Sequence, residues 1–347
     1  MSTGTFFVRR ARAAHLSGRT QPSRGKSVLA SPHRLARRMA ACVAAALLIA
    51  CGHRTPVPAG PAPAAALPPH AALIEIDDVH RFYALYDAME GKPTAAQLQA
   101  YIDTGSAGLR AFADMRRTTG ARIAEAIARS PDTYVHAKRC LEPLPRVRAR
   151  VADALATLGR LYPDARFPPV TIAVGRGKPV GIGSHVTGIQ IGLEALCATE
   201  YLNPDVEDRF VHVIVHEFVH VQQAWPLADL EDLTVLETSL LEGAAEFVAE
   251  LASGSVAYSH LPALVAGREA EIEAAFLRDR STRDLSAWVG NGTAEQPGDL
   301  GYWVGYRIAK AYYRHADDKS RALREILEMR AAEAFLAKSG WHPGMAL

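Results

Sequence analysis

A mainly α-helical fold with a small antiparallel β element, an α+β arrangement, follows from three observations. Ten stretches repeat apolar residues at helical spacing, only two short runs read as strands, and the ~275 residues after position 70 suffice for one sizeable hydrophobic core. The helical stretches, in order, are 73–89, 95–102, 108–115, 122–129, 144–162, 205–224, 232–251, 263–277, 300–315 and 321–338. In each, apolar side chains return three and four positions apart, so one face is dry. The strands are Val170-Thr171-Ile172-Ala173-Val174 and Gly188-Ile189-Gln190-Ile191-Gly192. The glycine-rich stretch between them, 175–188, reads as a flexible hairpin loop. It contains Gly175-Arg176-Gly177-Lys178, but Pro179 follows where a phosphate-binding loop needs Ser or Thr ahead of a helix, which argues against a nucleotide. His185 in this loop reads as solvent-exposed, with contact to a substrate as the second reading.

The stretch 205–224 carries the most informative residues. Asn203-Pro204-Asp205 is a helix start signal, and Trp225-Pro226 ends the run. Phe210, Val211, Ile214, Val215, Phe218, Val219 and Val221 make its apolar surface broad enough for burial on most sides. Within it lies His216-Glu217-Phe218-Val219-His220. Residues four apart on a helix differ by about 40° in azimuth, so both imidazoles project from one face and can close on one ion. Glu217 lies about 100° further round, beside the place a metal-held water would occupy. A carboxylate between two histidines on so apolar a helix is expensive unless compensated, and a bound cation compensates it. Zn²⁺ is the ion this pattern fits.

A catalytic zinc takes three protein ligands and keeps a fourth position open. The best third candidate is Glu242, in Leu240-Leu241-Glu242-Gly243-Ala244-Ala245-Glu246, because 22 positions after His220 leave room for one helix to end and a second to return antiparallel. Glu246 shares its face one turn on and suits a carboxylate accepting the outer N–H of a ligand imidazole. Gly243 and Ala244 allow these two helices to approach closely. His212, one turn before His216, has no acid placed to complete a ligand set and reads as a packed neighbour.

His216, His220 and the Glu242-Gly243-x-Ala245-Glu246 run resemble the gluzincins, zinc peptidases whose third ligand is a Glu on the following helix. More narrowly, the chain resembles zinc-dependent protease domains of bacterial lipoproteins. The residues that carry this are Phe167-Pro168-Pro169-Val170, Ile189-Gln190-Ile191-Gly192-Leu193-Glu194, the two zinc helices and Gly301-Tyr302-Trp303-Val304-Gly305-Tyr306, so the resemblance covers about residues 101–340. It implies a zincin-like metallopeptidase domain at 71–347, a peptide or protein substrate, and Glu217 as general base. It also implies a Tyr or His on a downstream helix that donates to the oxyanion; Tyr306 is the first choice, Tyr302 the second, His315 a weaker option. In such enzymes an edge strand beside the active helix receives the peptide, a role expected here for the strand at 188–192.

The N-terminus points to export. The first 50 residues hold nine Lys or Arg and no acid, with Arg37-Arg38 just before an apolar run from Met39 to Ala50 that is too short to span a bilayer comfortably. Leu48-Ile49-Ala50-Cys51 looks like the lipobox of bacterial lipoproteins, which implies cleavage after residue 50 and lipidation of Cys51. From Thr55 to Pro69 the chain is Pro- and Ala-rich and uncharged, so residues 51–70 read as the lipidated Cys and a tether. The expected address is the bacterial cell envelope, lipid-anchored to a membrane and facing the periplasm. With the first 50 residues set aside, 30 of the 39 basic residues face 37 acidic ones, a formal charge of −7, which excludes a nucleic-acid footprint. Cys140 and Cys197 alone remain in the folded part; an oxidising compartment permits a disulfide, and nothing in the sequence places the two within reach. Two other readings stay open: a non-catalytic envelope lipoprotein with a structural or vestigial zinc site, and a metal-dependent amidase acting on a non-peptide bond.

Overall fold

Strands this short hold their shape only when paired. The computed structural model describes residues 74–347 apart from 179, 185, 186, 224–231, 294, 295 and 297, and it joins four strands into one sheet. These are β1 (Ile74–Glu75), β2 (Val170–Ala173), β3 (Gly181–Ser184) and β4 (Gly188–Gly192), in the order β1-β2-β4-β3. β1 and β4 both run parallel to β2, with Val170 opposite Ile189, whereas β3 folds back antiparallel on β4 with Ile182 opposite Gln190. The expected small β element is therefore present and is mixed.

Two expectations change with this topology. The stretch 175–188 is not a hairpin loop: it contains β3, and the two strands it joins are parallel neighbours. Gly181 and Gly183 hid the strand, because they lack the branched side chains by which strands are recognised. The outermost strand beside the metal helix is accordingly β3, while β4 lies inside the sheet with both edges paired.

Fourteen α-helices surround the sheet among the described residues: α1 (Asp77–Ala88), α2 (Ala95–Asp103), α3 (Ala107–Met115), α4 (Gly120–Arg129), α5 (Pro131–Ala137), α6 (Leu144–Leu161), α7 (Leu193–Cys197), α8 (Val206–Gln222), α9 (Val235–Ser253), α10 (Leu261–Val265), α11 (Glu269–Asp279), α12 (Leu300–His315), α13 (Lys319–Leu327) and α14 (Ala332–Ser339). Their starts are chemically encoded. Side chains of Thr94, Ser106, Thr119, Asp205 and Asp318 accept backbone N–H groups of the first turn, and Thr234 with Glu237 forms a reciprocal capping box on α9. The expected helix 263–277 is broken between α10 and α11, where Gly267 adopts φ +78°. The expected helix 321–338 is two helices, and Met329 in the break is buried in the core.

The helix that carries Glu242 is held from two sides. α9 packs on α8 along one flank and on α12 along another. At the second crossing Gly243 and Gly305 face each other; a Cβ on Gly305 would stand 3.2 Å from the Gly243 Cα. Gly243 thus opens the way for α12, and the expectation that it serves the α8–α9 contact is corrected. Cys140, in the 3-10 turn Lys138–Leu141, is disulfide-bonded to Cys197 at the end of α7, with Cα atoms 6.2 Å apart. No helix among the described residues is long and apolar enough to cross a membrane. The expected signal at 1–50, Cys51, the tether, Trp225-Pro226 and His185 lie outside the described residues.

Candidate metal centre

The spacing of His216 and His220 on α8 brings their Nε2 atoms to 3.0 Å from each other. From α9, Glu242 sets Oε2 3.3 Å from His216 Nε2 and 3.2 Å from His220 Nε2. These three side chains form the one group among the described residues with the geometry to hold a metal ion. They are 0%, 3% and 2% exposed respectively, and Glu217 is 1% exposed.

The outer faces of the imidazoles decide what the inner faces can do. His216 Nδ1 lies 2.6 Å from Glu246 Oε1, and the other Glu246 oxygen accepts the Tyr258 backbone N–H at 3.0 Å. His220 Nδ1 lies 2.7 Å from Gln223 Oε1, and the Gln223 amide is oriented by donating its N–H to the Leu241 carbonyl at 2.7 Å. Each Nδ1 therefore carries the proton and leaves Nε2 as a bare lone pair. Two lone pairs and a carboxylate oxygen crowded to 3.0–3.3 Å repel unless something positive sits among them. A tetrahedral zinc with bonds of about 2.0–2.2 Å spaces its ligand atoms by about 3.3 Å. The donor set fits that ion in type, number and separation.

Without a metal, a proton fills the same role. Burial pushes the His216 imidazole down, but its hydrogen bonds to Glu242 and Glu246 outweigh that and raise it to about 10. Burial likewise pushes Glu242 up, yet the charges and hydrogen bonds of His220 and His216 hold it down at about 2. Metal and proton thus compete for one position.

Glu217 stands beside this trio under β3. A Cβ on Gly181 would come 2.6 Å from its Oε1, so only a glycine strand can lie so close to the carboxyl group. Oε1 has no hydrogen-bond partner among the described residues. Burial raises the Glu217 pKa against the opposing pull of His220, His216 and the Gly183 N–H. A raised carboxyl pKa suits a group that must take a proton and give it back.

The two tyrosines expected near the site part company. The Tyr302 ring, fully buried, stacks on His216 with centroids 6.2 Å apart and on Tyr258 at 4.3 Å. The Tyr306 hydroxyl instead donates to Glu250 Oε2 at 2.9 Å and accepts from Lys310. His315 is turned to the Ser339 carbonyl, and His212 Nδ1 to the Ser253 hydroxyl at 2.9 Å. Gln223, Tyr258 and the β3 glycines escaped the sequence reading. Gln223 follows His220 by three positions, which puts it on the same helix face, and that spacing was the one available signal.

Residues 195–335 match the model of a family described as "Predicted Zn-dependent protease (DUF2268)". The matched stretch contains all three donors, Glu217 and both tyrosines, and it supports a zinc protease at that coarse level. No curated protein and no solved structure matches the chain.

Proposed function

We propose that this chain is a zinc-dependent peptidase in which His216, His220 and Glu242 hold the ion and Glu217 is the general base. The observation that carries the reading is the convergence of the Glu242 carboxylate on two imidazole Nε2 atoms whose Nδ1 positions are held on the outer side by Glu246 and Gln223. Zinc bound there supplies a Lewis acid that acidifies a water and polarises the scissile carbonyl. Glu217 takes the proton of the attacking water and returns it to the leaving amine nitrogen. Tyr302 is the preferred oxyanion donor, since the Tyr306 phenol is engaged by Glu250 and Lys310. The peptide pairs with β3, the edge strand beside α8, whose Gly181 and Gly183 flank Glu217. From the sequence alone comes the proposal that Cys51 is lipidated and tethers the domain at the periplasmic face of a membrane.

The test is a pair of substitutions. Glu217→Gln retains about one zinc per chain and loses peptide hydrolysis, whereas His216→Ala loses the metal. A fully active Gln variant excludes the role given to Glu217. One observation favours a structural zinc instead: all four side chains are buried. Structural sites are closed by four protein ligands, however, and three are present among the described residues.

A further inference from the structure

The turn that leads into β3 carries Arg176 and Lys178, with which no carboxylate side chain pairs among the described residues. Glu194 on α7, itself fully buried, accepts the backbone N–H groups of Gly175 at 3.0 Å and Gly177 at 2.8 Å. The Tyr134 hydroxyl donates to the Gly175 carbonyl at 3.1 Å. Arg176 is therefore presented on a pinned turn. Its Nη2 donates to the Arg116 carbonyl at 3.3 Å, and the next carbonyl, of Arg117, accepts Nη1 of Arg122 at 2.7 Å. Consecutive carbonyls thus bring two guanidinium groups together at the end of α3, each with most of its five N–H donors left over.

Arg129 belongs to the same corner, because its charge acts on the Tyr134 hydroxyl bound to Gly175. Burial, then Arg122 and Arg129, lower the Arg176 pKa, and no carboxylate opposes them. Lys178 is two residues further along the turn. Elsewhere Arg81 pairs with Asp78, Lys138 with Asp87 and Arg150 with Asp208. Among the described residues Arg122, Arg129, Arg176 and Lys178 hold no carboxylate. Apart from the buried Glu194, which is taken up by the Gly175 and Gly177 N–H groups, no carboxylate pairs with these like charges among the described residues, so the corner suits an anionic ligand.

Its position says which part of a ligand it meets. Residues 176–178 precede Gly181 by three to five positions, a reach of up to ~17 Å of extended chain from the strand that flanks Glu217. Antiparallel pairing is the more stable way to add a strand to β3. A peptide so paired runs its C-terminal half toward the start of β3. We infer that the substrate is acidic on the C-terminal side of the cleaved bond, and that Arg122, Arg129, Arg176 and Lys178 bind its carboxylates. This deepens the peptidase reading and rests on it.

The test separates binding from turnover. Fluorescein-labelled peptides with Glu, or with Gln, three to five residues after a neutral core are titrated against the full-length Glu217→Gln protein by anisotropy. The Glu peptide binds about tenfold tighter at low salt, and high salt removes the difference. In Arg122→Glu/Arg176→Glu the preference inverts toward a Lys peptide; should that variant misfold by circular dichroism, Arg176→Gln is read for a partial loss. In the wild-type enzyme, moving the Glu residues to the N-terminal side of the cleaved bond lowers kcat/KM to the Gln level. Equal affinity for Glu and Gln peptides, an acidic preference on the N-terminal side, or tighter binding of a single-stranded oligonucleotide than of the Glu peptide overturns the inference. Absence of cleavage of every peptide, with selective binding intact, sinks the peptidase reading and leaves the basic corner standing as an acidic-peptide site.

Discussion

Gly305→Ala attacks the frame that delivers Glu242 without touching a ligand. Its new Cβ would fall 1.7 Å from the Ser239 carbonyl oxygen and 2.5 Å from the carbonyl carbon. Both are helix backbone, so no rotamer change relieves the clash. Reaching ordinary contact requires α9 and α12 to part by roughly 1.5 Å. Overpacking of this kind costs about 3 kcal/mol, and alanine returns about 1 kcal/mol through its better helix propensity. The net loss is about 2 kcal/mol, or roughly 5 °C in Tm for a domain of this size. Ser239 lies three residues before Glu242 on α9, so the displacement reaches the ligand carboxylate. Metal sites tolerate shifts of about 0.2 Å, hence zinc affinity falls at least tenfold. The assays are thermal unfolding with and without chelator, and zinc competition against a chromophoric chelator. Unchanged Tm together with unchanged zinc affinity refutes the claim that this glycine crossing sets the position of Glu242.

Three further outcomes follow from the same geometry. Tyr302→Phe lowers kcat by about 100-fold with little change in KM, while Tyr306→Phe leaves kcat within severalfold; steady-state kinetics on one peptide separates them, and the reverse ranking moves the oxyanion role to Tyr306. Glu246→Gln keeps an acceptor near His216 Nδ1 but turns an amide N–H toward the Tyr258 N–H, so zinc affinity drops by 10- to 100-fold by chelator competition. Burial raises the Asp299 carboxyl from 3.8 to about 6 despite the N–H groups of Gly290, Asn291 and Gly292. The folded state then holds this proton more tightly than the unfolded chain, so its contribution to stability is full below about pH 4 and is lost as pH rises to about 6. Denaturant unfolding of the wild type against Asp299→Asn shows that slope as a difference between the two chains, and parallel curves refute it.

The two helices that carry the donor residues were legible because two independent signals coincide there. The apolar spacing of Phe210, Ile214, Phe218 and Val221 demands a buried helix, and His216 and His220 interrupt it at the separation that one ion needs. Glycines were read least well, since an absent side chain carries no periodicity. Gly181 and Gly183 form a strand because Glu217 must pass beneath them, and Gly243 faces α12, two facts that depend on a neighbour distant in sequence. The choice between Tyr302 and Tyr306 was equally hidden. Four residues apart on one helix, they share a face, and only the tertiary partners separate a ring against His216 from a hydroxyl on Glu250. The disulfide belongs to the same class, because 57 residues separate Cys140 from Cys197.

The chemistry of the centre turns on a shortage of positive charge in a dry place. Glu217, Glu242 and Glu246 are all buried around His216 and His220, and each buried carboxylate costs several kcal/mol unless it is compensated. Glu246 is compensated by the His216 Nδ1–H and the Tyr258 N–H, and Glu242 by whatever cation lies between the two Nε2 atoms. A single proton on His216 answers for Glu242 but leaves Glu217 Oε1 without a partner. A divalent ion held by His216, His220 and Glu242 would answer for the charge of both carboxylates, and Glu217 would then be free to accept a proton from a water beside it. The excess of acceptors that crowds this site is thus what a divalent cation would relieve.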